Sequence, residues 1–507
     1  MNTLDKRNGK RRLADLAGQL AARRISKRDF LKKAAALGLF AAGAGVLGGA
    51  AKRPFSLLSP AHAADEGEQS PEVTAWLKDV GKGFRGRNIT IKYATEATPP
   101  SQVLSTLVEN DFTRYTGIEV QVEIVPLEQV LQKLTQDVAG GLGSYDLYYL
   151  DQSWMASFSN DTVDPREMYQ NQSDLAMPNY DFDDFLPPLT EGISMFRNKM
   201  VGVPFDIPIF IVMIRQDIYD KMGLQTPTTY PQYLDNARAI QAEYNGEIFG
   251  TTGQMKSGHY SLECDWTNWL WGHGGSIFGP DGKFAGNDAR GIDAMEYWLR
   301  LKENMPPDVL NWTWDGEFTS MAQGLAAQVY SWGEFFPGLD NPENSKVAGL
   351  LEPVLPLQPV SLRAPAEAGH GEIPGTAHQG GSALAVSRYS KNLDAAWVFA
   401  QWGSSADMNI RVSLLGGGAS PMRRSTYEDA RVLAKARPGV GSTRHFAVTR
   451  RAIENHMGSE PDHPAWAEVS NGVIPVELGR FFAGEYRSPK AVMDEIAEGV
   501  DKAFARY

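Results

Sequence analysis

The chain is expected to fold as an α/β protein of two lobes joined by a hinge, with a ligand cleft between them. Strand and helix signals alternate on both sides of residue 200, and the stretch from Val201 to Arg215 reads as the passage from one set to the other. Pro204 and Pro208 each remove a backbone donor and fix φ, so the first half of that stretch suits an exposed connector better than a central strand. Ile209 to Ile214 is continuously apolar and rich in β-branched residues, as a strand buried on both faces would be. An edge strand entering a single large sheet is the plainer alternative.

With 507 residues the chain can bury more than one core. Residues 1–63 differ in kind from the rest. They carry 13 Lys and Arg against 3 Asp and Glu, leaving 36 basic and 58 acidic residues, a formal net charge of −22, for the remainder. A surface that acidic repels phosphate backbones and anionic lipid, so nucleic-acid and membrane-surface roles are not expected. Within the basic segment, Ser26-Lys-Arg-Asp-Phe-Leu-Lys32 precedes an Ala/Gly-rich apolar run from Ala34 to Ala51, and Ala61-His-Ala63 supplies the small residues of a cleavage site. That order is a secretory signal peptide. It resembles the twin-arginine export signal, with Lys27 where the first arginine would stand. A retained membrane anchor is the alternative, but the run is Gly-rich and only marginally long enough to span. Cys264 is the only cysteine, so no intrachain disulfide forms and no lipid attaches at the cleavage site. The thiol itself reads as a small buried hydrophobe.

The elements follow in order. Ser70-Pro71 to Gly81 has a cap, a proline at the first helical position and a closing glycine, with Val73, Trp76, Leu77 and Val80 on one face. Asn88 to Tyr93 is the first expected strand, and Leu104, Leu107, Val108 and Tyr115 mark the helix that follows. Ile118 to Ile124 alternates apolar and polar residues as a half-buried strand does. Leu127 to Val138 carries the next helical stripe, and Tyr145 to Leu150 a third strand. Single helices between three strands imply a parallel sheet with right-handed crossovers. Ligands of such sheets sit at strand C-termini, here Thr95-Glu96 and Asp151-Gln-Ser-Trp154.

Beyond the crossing, helices are expected over 217–222, from Thr226-Pro227 to Asn245, over 260–271 and over 288–304. A strand is expected at Phe249 to Thr252, a hairpin turn at Gly279 to Lys283 and a further strand ending at Trp332. Leu351 to Pro359 reads as a return crossing, Arg363 to Gly381 as a polar loop, Ala383 to Val386 as a strand, Leu393 to Ser404 as a helix and Gly416 to Pro421 as a third possible crossing. A helix capped by Ser488-Pro489 closes the chain.

Several short signatures then occur in a shared order: Val203-Pro204; Ile218-Tyr-Asp-Lys-Met-Gly-Leu224 with Pro227-Thr228; Gly274-Gly275; Gly380-Gly381 before Ala383 to Val386; and Ser390-Lys-Asn392 with Ala395 to Phe399. Together they resemble family 1 of the extracellular solute-binding proteins, the periplasmic receptors of ABC importers. Tyr230 and Ser382 stand where that family more often has Trp and an aromatic residue. The resemblance implies the two-lobe type II periplasmic binding fold, with residues 64–87 as an extension, 88–205 and 356–415 as one lobe and 206–355 and 416–507 as the other. It also implies a periplasmic monomer that captures a carbohydrate or polyol and hands it to ABC permease subunits, with no enzyme activity, no cofactor, no metal and no membrane anchor after signal cleavage.

Sugars and polyols present C–H faces and hydroxyl edges, so their sites combine aromatic platforms with carboxylate partners. Glu96, Asp151, Asp206 and Glu334 are the acidic candidates. Trp154, Trp266, Trp269, Trp271 and Trp332 are the candidate platforms, although ordinary packing accounts for many tryptophans. Gly380, Gly381 and Ser382 would let backbone amides approach a hydroxyl. No nucleophile elbow or metal-ligand spacing is present among the eight histidines. A secreted glycoside hydrolase using paired carboxylates is the rival function, because its two acids need only meet in space.

Overall fold

A computed structural model describes residues 67–358, 377–418 and 420–507, all within the compact unit Leu57–Tyr507. The expected signal segment, the first residues of the extension and most of the loop expected over 363–381 lie outside the described residues.

The extension helix Pro71–Val80 starts where Ser70 caps it: the Ser70 hydroxyl accepts from the Val73 amide at 3.2 Å, and Pro71 occupies the first turn. All four stripe residues are buried, Leu77 completely. The Ser70 amide donates to Asp407 at 3.0 Å, which ties the helix start to the far end of the chain. This helix is therefore part of the core. Replacing Leu77 with alanine is expected to cost about 2–5 kcal/mol, seen as a lower urea midpoint at unchanged slope. An unchanged midpoint would mean the helix is dispensable to the fold.

The first sheet opens with β1 (Thr90–Glu96), β2 (Glu119–Val125) and β3 (Leu147–Asp151), parallel in the order β2-β1-β3. The helix Pro99–Leu107 leads out of β1 and Leu127–Gly140 joins β2 to β3, as the spacing requires. Both β1 and β3 run further than the alternation suggests. Thr95 and Glu96 still pair with Ile124 and Val125, so what reads as loop is the polar end of a strand, and Asp151 ends β3 in the same way. A small hairpin of β4 (Met195–Phe196) and β5 (Lys199–Met200) follows, turning at Arg197 with φ 55°.

The crossing stretch divides between two sheets. β6 (Val203–Asp206) completes the first sheet as its edge, antiparallel to β11 (Ser382–Val386), giving the order β2-β1-β3-β11-β6. Pro204 fits there because an edge strand leaves one side of its backbone without ladder bonds. The expectation of an exposed connector is corrected: Val201 to Asp206 are all buried. After Ile207 to Ile209, β7 (Phe210–Arg215) enters a second sheet between β8 (Gln328–Trp332) and β9 (Leu351–Val354), antiparallel to both. Its central position explains the unbroken apolar run.

Leu351 to Val354 is thus a strand before it is a return. Phe249 to Thr252, expected as a strand, makes a single bridge from Phe249 to Ala326. The Gly250 backbone lies against helix Tyr230–Tyr244, where a Cβ would come 2.1 Å from the Ala237 carbonyl oxygen. That helix face takes the place of a neighbouring strand. The chain between β9 and β11 contains β10 (Ala377–His378), which pairs in parallel with β12 (Met457–Gly458). The helix Leu393–Gly403 packs on β11, and the closing helix Pro489–Phe504 packs on Ala289–Lys302 and Ile474–Phe482. Among the described residues no helix is long and apolar enough to cross a membrane.

Candidate functional site

Three of the predicted acids, at or just past strand ends of the two sheets, lie near enough to act on one another electrostatically. Glu96 is the last residue of β1, Asp206 the last of β6, and Glu334 follows β8 of the second sheet by two residues. Asp206 is fully buried, and neither of its carboxylate oxygens has a hydrogen-bond partner. Burial pushes its acid up to about 7, and the Thr98 and Tyr149 hydroxyls, which stand near it without closing a hydrogen bond, act against the rise. Burial and then the Asp206 charge raise Glu96 well above the usual carboxylate range. The same two causes act on Glu334, followed by Glu96, and its Oε2 is buried without a partner. No Lys or Arg among the described residues forms an ion pair with any of the three. Asp206 and Glu334, both desolvated and with unspent acceptor capacity, are poised to receive donors from elsewhere, with Glu96 beside them.

Asp151 stands one strand away. Ser382 is the register partner of both Asp151 and Asp206, so β11 holds the two acids on either side of it. The Asp151 Oδ1 accepts from the amide and hydroxyl of Ser153, at 2.9 and 2.6 Å. Burial and then the Glu460 charge raise its acid to about 8.

Trp332 ends β8 beside Glu334. Its indole meets the Phe210 ring edge-on at 4.3 Å, and its Nε1 donates to the Gln254 Oε1 at 3.0 Å. Trp154, two residues past Gln152, is fully buried with its Nε1 unpartnered. The other three tryptophans are placed elsewhere. Trp266 stacks on Phe284 with centroids 6.0 Å apart, and Trp269 packs among Tyr230, Tyr297 and Tyr330. Trp271 stacks on His378. Nothing sets these three beside the acids.

The Gly380 amide donates to the Pro208 carbonyl at 2.8 Å, and the Gly381 amide to the Gln379 side chain at 2.7 Å. Both donors are therefore spent within the chain, which corrects the expectation that they are free for a ligand. Their lack of a side chain serves close packing: a Cβ on Gly380 would come 2.8 Å from the Trp332 ring.

Residues with no sequence signal complete the surroundings. The Gln152 Nε2 donates to the Gln379 backbone carbonyl and to the Glu460 Oε1, the latter at 3.1 Å, and the Gln379 Nε2 donates to the Gln152 Oε1. Tyr149 lies inside β3, where its fully buried ring reads as core. Glu460 sits on a loop with no periodicity at all.

A further contact joins two helix starts. The His259 Nε2 lies 3.0 Å from the Glu128 Oε1, joining the start of helix Tyr260–Gly272 to the start of Leu127–Gly140. The His259 Nδ1 accepts the Ser261 amide at 3.2 Å, so the ring proton sits on Nε2 and points at Glu128. That hydrogen bond holds the Glu128 acid below its usual range. The contact is thus complete above the ordinary carboxylate pKa and lost only as pH falls through the lowered Glu128 range beneath it. Replacing His259 with alanine is expected to weaken ligand binding roughly three- to tenfold by calorimetry, with little change in melting temperature. Unchanged affinity would mean the bridge does not support the bound form.

The model of the bacterial extracellular solute-binding protein family matches residues 95–410. A protein of Sinorhizobium fredii named as a probable amino-acid ABC transporter periplasmic-binding protein is 26% identical over 391 residues, 74% of this chain and 83% of its own. The solute-binding protein of Agrobacterium radiobacter K84 in complex with ribitol superposes with a TM-score of 0.72 at 24% identity, covering 82% of this chain and 99% of its own. That of Agrobacterium vitis S4 with bound D-mannitol superposes at 0.70 and 19% identity, covering 82% and 98%.

Proposed function

Given that the chain belongs to the bacterial extracellular solute-binding protein family, we propose that it captures a polyol or small carbohydrate by closing two lobes around it. It then delivers the ligand, as a periplasmic monomer, to the permease of an ABC importer. The convergence of Glu96, Asp206 and Glu334 from the two sheets carries this reading. A ligand hydroxyl that donates to an unpartnered oxygen of Asp206 or Glu334 favours the ionised form of that acid, and a bond to an ionised carboxylate is about twice as strong as a neutral one. A ligand held from both sides favours the closed state because only that state completes its contacts. The sheet β2-β1-β3-β11-β6, which carries Glu96 and Asp206, belongs to one moving lobe, and the sheet β8-β7-β9, which precedes Glu334, to the other. Ligands of the two superposing proteins, ribitol and D-mannitol, suit an acceptor-rich site of this kind.

A free amino acid suits it less well, since its carboxylate would enter a group of acids that no Lys or Arg pairs among the described residues. The same excess of unpaired acid favours a second reading, a ligand bearing an ammonium group. A thermal-shift screen over C4 to C6 polyols, mono- and disaccharides, diamines and amino acids separates these readings, because a ligand in excess of its dissociation constant stabilises the fold. A polyol or sugar response supports the first reading, and a response confined to amines supports the second. Stabilisation by amino acids alone would overturn both. Release of product from a glycoside would point instead to the hydrolase alternative.

A further inference from the structure

We infer that Glu263, Cys264 and His378 form a binding site for one divalent transition-metal ion of the zinc class. One ligand atom from each lies within 4.8 Å of the other two, and all three residues are fully buried. A tetrahedral zinc site sets its ligand atoms roughly 3.3–3.8 Å apart, so the triad needs to close by at most about 1.5 Å. Thiolate, imidazole and carboxylate together select zinc or cobalt over magnesium or calcium.

The donors are prepared as well as near. The Glu263 Oε1 accepts from the Thr267 hydroxyl at 2.6 Å, and its Oε2, buried, has no partner. The His378 Nε2 lies 2.7 Å from the Glu460 Oε1, and Glu460 in turn accepts from Gln152 and from the Trp466 indole. Glu460 therefore keeps the ring proton on Nε2 and leaves the lone pair on Nδ1, which is buried and unpartnered. A carboxylate behind a histidine in this way is what orients metal-ligating imidazoles. Trp271, Phe210 and Trp332 enclose the ring and keep water out.

Charge argues in the same direction. The Glu460 carboxylate lies near enough to both Asp151 and Glu263 to disfavour their ionised forms, and no Lys or Arg among the described residues pairs with the three. A dication offsets that excess. The ion would join helix Tyr260–Gly272 to β10, on the chain running from the second sheet back to the first. It would act on the crossing and leave the Glu96, Asp206 and Glu334 group untouched. The sequence conceals the site because Cys264 and His378 are far apart in the chain.

The test is to produce the full-length exported protein in medium where Co2+ replaces zinc, then measure bound cobalt by mass spectrometry and by its near-ultraviolet thiolate charge-transfer band. About one cobalt per chain is expected, with that band present. Cys264→Ser should abolish the band, and Glu460→Gln should weaken cobalt binding roughly 10–100-fold, as loss of a supporting carboxylate does. A chelator should lower the melting temperature of the wild type, a readout that holds even if a variant does not fold. Cobalt that binds without the band, cobalt unaffected by Cys264→Ser, or a wild type whose melting ignores the chelator would each overturn the site.

Discussion

Replacing Asp206 with asparagine is expected to lower ligand affinity roughly 10–100-fold while leaving the ligand-free protein at least as stable as the wild type at neutral pH. The affinity loss follows from exchanging a charged acceptor for a neutral one, since a hydrogen bond to a charged group contributes about 1.5–3 kcal/mol and each 1.4 kcal/mol is about tenfold. The stability effect has the opposite sign because the carboxylate is unsatisfied in the free protein. It is fully buried, neither oxygen has a partner, and Glu96 and Glu334 lie beside it. An amide of the same shape removes that repulsion and keeps the volume. The pH dependence has a definite sign too. The folded-state acid is raised to about 7, above its unfolded value near 4, so its stabilising contribution is complete below about 4 and is lost as pH rises through about 7. Melting curves of the ligand-free wild type should therefore decline across that window, and Asp206→Asn should flatten the decline. Titration calorimetry on the same protein reads the affinity. Wild-type affinity in the variant would make Asp206 only a buried acid at the crossing, with no ligand contact.

The positions of Glu96 and Asp151 at the ends of β1 and β3 were legible because strand periodicity and turn residues are local signals, and a strand's polar end is visible in either. Of the passage from β6 to β7 only the second half was legible, because an unbroken apolar run is tolerable in a centre; the first half, read as a connector, is an edge strand that ends at Asp206. The burial of Pro204 was not legible, because a covered edge strand and an exposed connector look alike until the layer above is known. The tryptophans show the same boundary. Helical spacing places Trp266 and Trp269 on one face, but whether that face meets Phe284 and Tyr330 or a ligand depends on which helix lies opposite. The free amides expected at Gly380 and Gly381 were misread because a pair of glycines signals close approach without saying what approaches. Here it is Trp332 and Gln379. Glu460 and His378 carry no local signal, as their relation exists only once β10 and β12 pair.

Trp332 is where packing and binding are hardest to separate, and two substitutions separate them. The ring ends β8 next to Glu334, is 4% exposed, and contacts Phe210, His378 and the backbone of Gly380. Trp332→Ala removes all of this. It is expected to destabilise the protein by about 3–5 kcal/mol and to reduce polyol binding more than 100-fold, because the surface facing Glu334 and the packing of the crossing are lost together. Trp332→Phe keeps an aromatic ring against Phe210 and Gly380, so it should cost about 1–3 kcal/mol, part of it from the Gln254 oxygen left without its indole donor. If the indole is a platform, its smaller replacement also loses contact with the C–H face of the ligand, and affinity falls about tenfold beyond what the stability change explains. Equilibrium unfolding in urea measures the first quantity and calorimetry at a temperature where both proteins are fully folded measures the second. A Trp332→Phe protein that is destabilised yet binds like the wild type would assign the ring to the crossing alone. Ligand recognition would then rest on Glu96, Asp206 and Glu334.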